Sequence, residues 1–294
     1  MIATPITRRT VLQQGGLLVA GSTLAGLASS VAGEAKSRVV LIRDPKAVDG
    51  DGTINARVVA EMLDAAVARL LDEQDPLAAW KRIILPTDTV GVKSNEWRHL
   101  PTPAGLETAI RARLEDAGVK AERIAVADRA VLKNPVFSAA TALINVRPLR
   151  THHWSGLGTL IKNYVMFVPD PWSYHANACE PLGAIWHLPH VKGKTRLNIL
   201  VMLTPQFHST GPHHFSRTYV WSYGGLLVSR DPVAADAVGA AIIQARRRQY
   251  FGEERPIAPP PHHIRFADAT YGLGTSSLER IELVRLGWGE NALI

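Results

Sequence analysis

Apolar residues recur along this chain in two rhythms, short β-branched runs and longer stretches with helical spacing, and their alternation predicts the fold class. Arg38-Val39-Val40-Leu41-Ile42-Arg43 is a β-branched run closed by Asp44-Pro45 and reads as a strand. From Asn55 to Leu71, residues Val58, Val59, Met62, Ala66, Val67, Leu70 and Leu71 share one helical face. A strand at Asp88–Lys93, a helix at Thr102–Ala117 stopped by Gly118, and a strand at Arg123–Ala127 complete a βαβαβ series. The expected class is α/β, a mostly parallel sheet flanked by helices, because a parallel crossover needs a dozen or more residues and a helix supplies them.

After a further strand at Thr141–Val146 the periodicity dissolves into a long His/Trp-rich irregular stretch containing Trp154, Trp172 and Trp186 among Gly and Pro. Loops of that length are usually functional. Regular patterning returns at Arg196–Leu203, at Thr218–Ser229 with Gly224-Gly225 as a bend, and at a helix opening on Asp231-Pro232. Residues 33–294 thus read as one α/β domain with an irregular mid-chain insertion.

Residues 1–32 follow a different pattern. Arg8-Arg9 precedes a weakly apolar run from Gly15 to Leu27 and the small residues Ser30-Val31-Ala32, the order of a cleavable twin-arginine export signal. Gly15, Gly16, Gly21 and Gly26 break a run already short of the about 20 apolar residues that span a bilayer, so no stable membrane span is expected after cleavage. The expected partner is the twin-arginine translocation machinery and the expected location periplasmic, or otherwise exported.

Composition narrows the chemistry. Two units of the formal net charge of +7 are Arg8 and Arg9, and the tight basic run Arg246-Arg247-Arg248 closes an apolar helical pattern where cations suit a helix C-terminus, so no nucleic-acid partner is expected. The single cysteine, Cys179, rules out an internal disulfide and an iron–sulfur cluster held by four cysteines of this chain. Nucleotide motifs fail as well. Gly193-Lys194-Thr195 lacks the earlier glycine of a phosphate-binding loop, where Leu188 stands, and Gly156-Leu157-Gly158 meets Ile161 where a dinucleotide fingerprint needs its third glycine. Ser155 lacks the Gly-x context of a nucleophile elbow.

Two groups of residues carry a chemical signal. Eight of the eleven histidines fall between His152 and His214, which suits acid–base chemistry or one divalent metal held by His153, His175 and His187. Lys93 with Asn95, Lys162 with Asn163, and Asp231 with Asp236 stand at strand ends or helix starts, and in open α/β sheets ligands bind outside the carboxyl ends of the strands. Asp231, followed by Pro232, also has the setting of an ordinary helix cap. Small neighbours of Asp236 (Ala234, Ala235, Ala237 and Gly239) indicate a helix packed closely on the sheet.

Lys93-Ser94-Asn95, Arg150-Thr151-His152, Gly158-Thr159-Leu160-Ile161-Lys162-Asn163 and Asp231-Pro232-Val233-Ala234-Ala235-Asp236-Ala237-Val238-Gly239 together resemble the successive motifs of the bacterial and archaeal domain of unknown function 362, over residues 80–245. Arg150 departs from the lysine common before Thr-His in that family, keeping charge but changing donor geometry. The resemblance implies an α/β fold and a shared polar site without naming a reaction. The expectation is an exported, metal-assisted hydrolase or oxidoreductase for a small anionic substrate. His152, Lys162 and Asp236 would be its catalytic residues, and Lys93, Asn95, Asn163 and Asp231 its ligand-binding residues. The alternative is a non-catalytic periplasmic binding protein for an anionic ligand or a metal.

Overall fold

A computed structural model describes residues 36–209 and 214–294, so the proposed export signal and His213 lie outside the described residues. Eight strands form one sheet: β1 (Ser37–Arg43), β2 (Val90–Lys93), β3 (Ile124–Ala127), β4 (Ala142–His152), β5 (Gly156–Gly158), β6 (Thr195–Gln206), β7 (Gly225–Ser229) and β8 (Ile281–Gly287). Their order is β3-β2-β4-β6-β7-β1-β8, with β5 folded back antiparallel onto the end of β4. The pairs β2–β3, β2–β4, β4–β6 and β1–β8 are parallel, and β7 runs against both β6 and β1. The α/β class and the mostly parallel sheet hold.

The helices are α1 (Ala56–Leu70), α2 (Pro76–Ile83), α3 (Ala104–Asp116), the single turns α4 (Pro135–Ser138), α5 (Leu160–Asn163) and α6 (Ala176–Cys179), then α7 (Pro232–Phe251) and α8 (His262–Ala269). Alternation along each strand divides the core in two. Val40, Ile42, Val92, Ile144, Val146 and Ile199 pack with Val59, Met62 and Leu63 of α1, Trp80 of α2 and Ile110 of α3. Val39, Leu41, Leu143, Leu149, Leu200 and Leu227 pack with Val238 and Ile242 of α7 and with the irregular mid-chain segment. Gly239 lets α7 approach the sheet, since a Cβ there would stand 2.6 Å from Leu200 Cδ2. The described residues form one compact unit. No helix among the described residues is long and apolar enough to cross a membrane.

Three differences from the sequence reading matter. β4 continues six residues past Val146, buried along its whole length, through Arg147, Pro148 and Arg150. Charge and proline normally end an apolar strand pattern, and the β4–β6 register indeed shifts between Pro148 and Arg150. The strand expected from Thr218 starts only at Gly225, because Gly224 turns the chain at φ +64°. Helices α2 and α8, eight residues each, are too short for their periodicity to register, and in β8 Glu282 and Arg285 interrupt the apolar run.

Candidate functional site

The carboxyl ends of β2, β3 and β4 and the turn α5 carry a continuous buried polar cluster. Lys93, the last residue of β2, is fully buried; its Nζ donates to Asp128 Oδ1 at 2.6 Å, to the Ser94 carbonyl at 2.6 Å and to Asn163 Oδ1 at 3.3 Å. Burial drives Lys93 down to about 8 despite the pull of Asp128. Burial opposes ionisation of Asp128, yet the Lys93 ammonium and the Glu96 N–H hold its carboxyl below the usual range. Asn163 Nδ2 donates to the Lys93 and Val146 carbonyls and to Asn145 Oδ1, and Asn145 Nδ2 donates in turn to the Leu160 carbonyl and Asn198 Oδ1. These amides lock β2, β4, β6 and α5 into one frame.

A second set surrounds Lys162. Its Nζ meets His175 Nε2 at 2.8 Å and Cys179 Sγ at 3.5 Å, while His175 Nδ1 lies 2.7 Å from the Pro171 carbonyl. The carbonyl can only accept, so Nδ1 of His175 carries the proton and Nε2 accepts from Lys162. Burial, with Arg147 nearby, lowers Lys162 to about 8, although Cys179 acts the other way. Burial keeps the Cys179 thiol above its ordinary range and His175 below its own. His152 Nδ1 accepts the Trp154 N–H at 3.2 Å, which leaves a proton on Nε2. Burial and the charges of Lys162, Arg150 and Arg147 push its pKa far down, so His152 is a neutral donor.

The two aspartates of the α7 region serve the scaffold. Asp236 is fully buried and accepts the Leu160 and Ile161 N–H groups, each at 2.9 Å, which pins the start of α5 and so places Lys162 and Asn163. Burial raises it to about 7 against those bonds. Asp231 caps α7 through the Val233 and Ala234 N–H groups at 2.9 Å and also accepts from Ser37 Oγ and the Thr275 N–H.

Two arginines were not singled out as site residues in the sequence, yet they dominate the cluster's charge. Arg147 is 4% exposed, has no hydrogen-bond partner among the described residues, and is lowered to about 10 by burial. Gly158 makes room for it, since a Cβ there would stand 2.9 Å from Arg147 Nη2. Arg150, equally buried, lies 4.1 Å from the Trp97 ring centre and, among the described residues, reaches acceptors only through a 3.5 Å contact to the Thr151 carbonyl. The signal available was a pair of arginines three apart beside Thr-His, hidden because arginines in a fading strand pattern read as surface.

Residues 55–241 match the family described as Domain of unknown function (DUF362). The chain belongs to the DUF362 family. No curated protein and no solved structure shows significant similarity to it.

In this DUF362 chain the four motifs, far apart in sequence, meet at one rim. Lys93 and Asn163 are hydrogen-bonded to each other, Lys162 follows from α5, Asp236 holds that turn, and Arg150 and His152 end β4. Asn95 is buried just beyond β2. Of the expected metal ligands, His153 stacks between His152 and Trp154, with centroids at 4.8 and 4.1 Å, and the Trp154 ring lies 4.6 Å from His175. His187 is engaged elsewhere, its Nε2 2.9 Å from the Tyr271 carbonyl. Among the described residues no three His, Cys, Asp or Glu side chains are arranged to hold a metal ion. Arg147, Arg150 and Lys162 lie close enough to His152 for each charge to lower its pKa, a local excess of positive charge suited to cradling an anion.

Proposed function

We propose that this DUF362 protein is an exported enzyme acting on a small anionic substrate, held by Arg147 and Arg150 and protonated or deprotonated by Lys162. The observation that carries this reading is the pair of buried guanidiniums, Arg147 without any hydrogen-bond acceptor among the described residues and Arg150 with only a long one. Buried cations are normally paired, and a planar fork of donors suits a carboxylate or phosphate oxygen pair. Lys93 is neutralised by Asp128 and belongs to the frame. Lys162, lowered to about 8, sits where both protonation states are populated near neutral pH, and His175 and the Pro171 carbonyl give its proton an onward path. His152 donates Nε2–H to charge developing on the substrate.

A divalent metal on His153, His175 and His187 has no part in this proposal, because both ring nitrogens of His175 and Nε2 of His187 already face protein partners. Export rests on Arg8-Arg9 and the run that follows them. A binding protein without turnover is the second reading, supported by the rigidity of the amide frame around Lys93 and Asn163.

Calorimetric titration with malonate, succinate, sulfate and phosphate tests the cradle. At least one should bind, and Arg147→Met with Arg150→Met should weaken it by about a hundredfold or more, given the usual value of two charge-assisted hydrogen bonds. Unaltered affinity in the double variant defeats the proposal. Substrate chemically changed by wild type but recovered intact from Lys162→Met supports an enzyme; substrate recovered intact from wild type supports the binding protein.

A further inference from the structure

Gln206 ends β6 fully buried, and among the described residues neither its Oε1 nor its Nε2 has a hydrogen-bond partner. In the parallel β4–β6 ladder it is the partner of Arg150, so the two side chains leave the sheet on the same face, and Arg150 Nε is likewise unpartnered. Across β4, the carboxyl end of β2 leads to Asn95, whose buried Oδ1 also lacks a partner. Buried polar atoms are almost always satisfied, so several orphans at one rim mark atoms that a ligand completes.

The mixture of orphans decides the ligand's character. A bare anion would pair with Arg150 and with Gln206 Nε2 but would bring oxygen lone pairs against Gln206 Oε1 and Asn95 Oδ1, which need donors. A cationic amine would supply donors but would enter beside Arg147, Arg150 and Lys162. A neutral group with N–H and C=O side by side satisfies the amide of Gln206 in both directions.

Resting on the anion-binding reading above, we infer that the ligand is an acid that also carries a carboxamide-like edge, such as a carbamoyl, lactam or ureido group, and that Gln206 reads that edge. An open groove of about 400 Å³, lined in part by His99, Thr204 and Phe215 and not by Gln206, Arg150 or Asn95 themselves, lies near this rim. It adjoins the Trp97 ring over Arg150, because Phe215 packs edge-on against Trp97 at 5.6 Å.

Succinamate and levulinate form the test, being acids of equal length that differ only in NH2 against CH3 at the far carbonyl. Calorimetry on wild type should show succinamate binding at least about tenfold tighter, since a site built to hydrogen-bond an N–H rejects the analogue lacking it. Gln206→Leu should bring the two acids within about twofold while levulinate affinity is kept. The ligand-free Gln206→Leu protein should melt no lower than wild type, because an orphaned amide is removed. If that variant does not fold, Gln206→Met serves in the same comparison. Equal affinities in wild type, or an undiminished preference in the variant, overturn the inference while leaving the anion cradle standing. Binding of neither acid overturns the inference, and the cradle then stands or falls with the titrations of malonate, succinate, sulfate and phosphate.

Discussion

Anion binding by this site should be coupled to proton uptake, and the coupling can be worked out group by group. Burial lowers Lys162 to about 8, within reach of ordinary buffers. His152 and His175 stay neutral across pH 7–9 because burial and the neighbouring cations depress them, and the raised Cys179 stays a thiol. Asp236, near 7, faces the backbone of α5 and is mostly ionised above pH 8. Lys93 also lies near 8 but is tied to Asp128. If the ammonium form of Lys162 is the one that binds, its population falls from about nine-tenths at pH 7 to about one-tenth at pH 9, and affinity should fall about tenfold. At pH 8 each binding event should take up roughly half a proton as the bound anion restores the lysine's charge. Calorimetry of the tightest anion in buffers of different ionisation enthalpy measures both quantities. Lys162→Arg, charged throughout, should flatten the profile. The sign for stability is opposite: the unfolded chain binds more protons than the fold between about pH 8 and the ordinary lysine value of 10.5, so ligand-free stability should rise with pH across that window. A flat affinity profile in wild type, or the same slope in Lys162→Arg, would refute this account.

Two further outcomes are expected. Asp128→Asn should cost about 3–5 kcal/mol in urea unfolding, because it strands the buried Lys93 ammonium, whereas Lys93→Met combined with Asp128→Leu should recover at least about 2 kcal/mol of the summed single losses; strict additivity would mean the pair does not interact as drawn. Arg8→Lys with Arg9→Lys should hold the chain in the cytoplasm on cell fractionation, and normal export of that variant would remove the twin-arginine assignment.

Wherever packing alone shapes the chain, its plan was legible in the sequence. The run Val39–Ile42, the α1 face and the Asp231-Pro232 start of α7 became the expected elements because periodicity and capping act locally. Legibility fails where buried polar residues interrupt the apolar pattern. Arg147, Pro148 and Arg150 break the apolar alternation of β4, so the second half of the strand reads as loop. The strand-end rule points to Lys93, Lys162 and Asn163, and in the fold Lys93 and Asn163 are hydrogen-bonded while the Lys162 charge acts on His152. Asp236 stands out in the sequence as a catalytic candidate, and only the fold shows its carboxylate accepting two α5 amides. Gln206 offered no signal at all, since an amide ending a strand is unremarkable until both of its polar atoms are found buried and unpartnered.

The place of β1 in the sheet sets the order in which the chain can finish folding. It pairs Val39 with Ser229 on one side and with Leu283 on the other, contacts that close loops of nearly two hundred residues and more. On a ribosome the first strand must therefore wait, its edges unfilled, until almost the whole polypeptide has emerged, and topology of this kind makes for slow assembly.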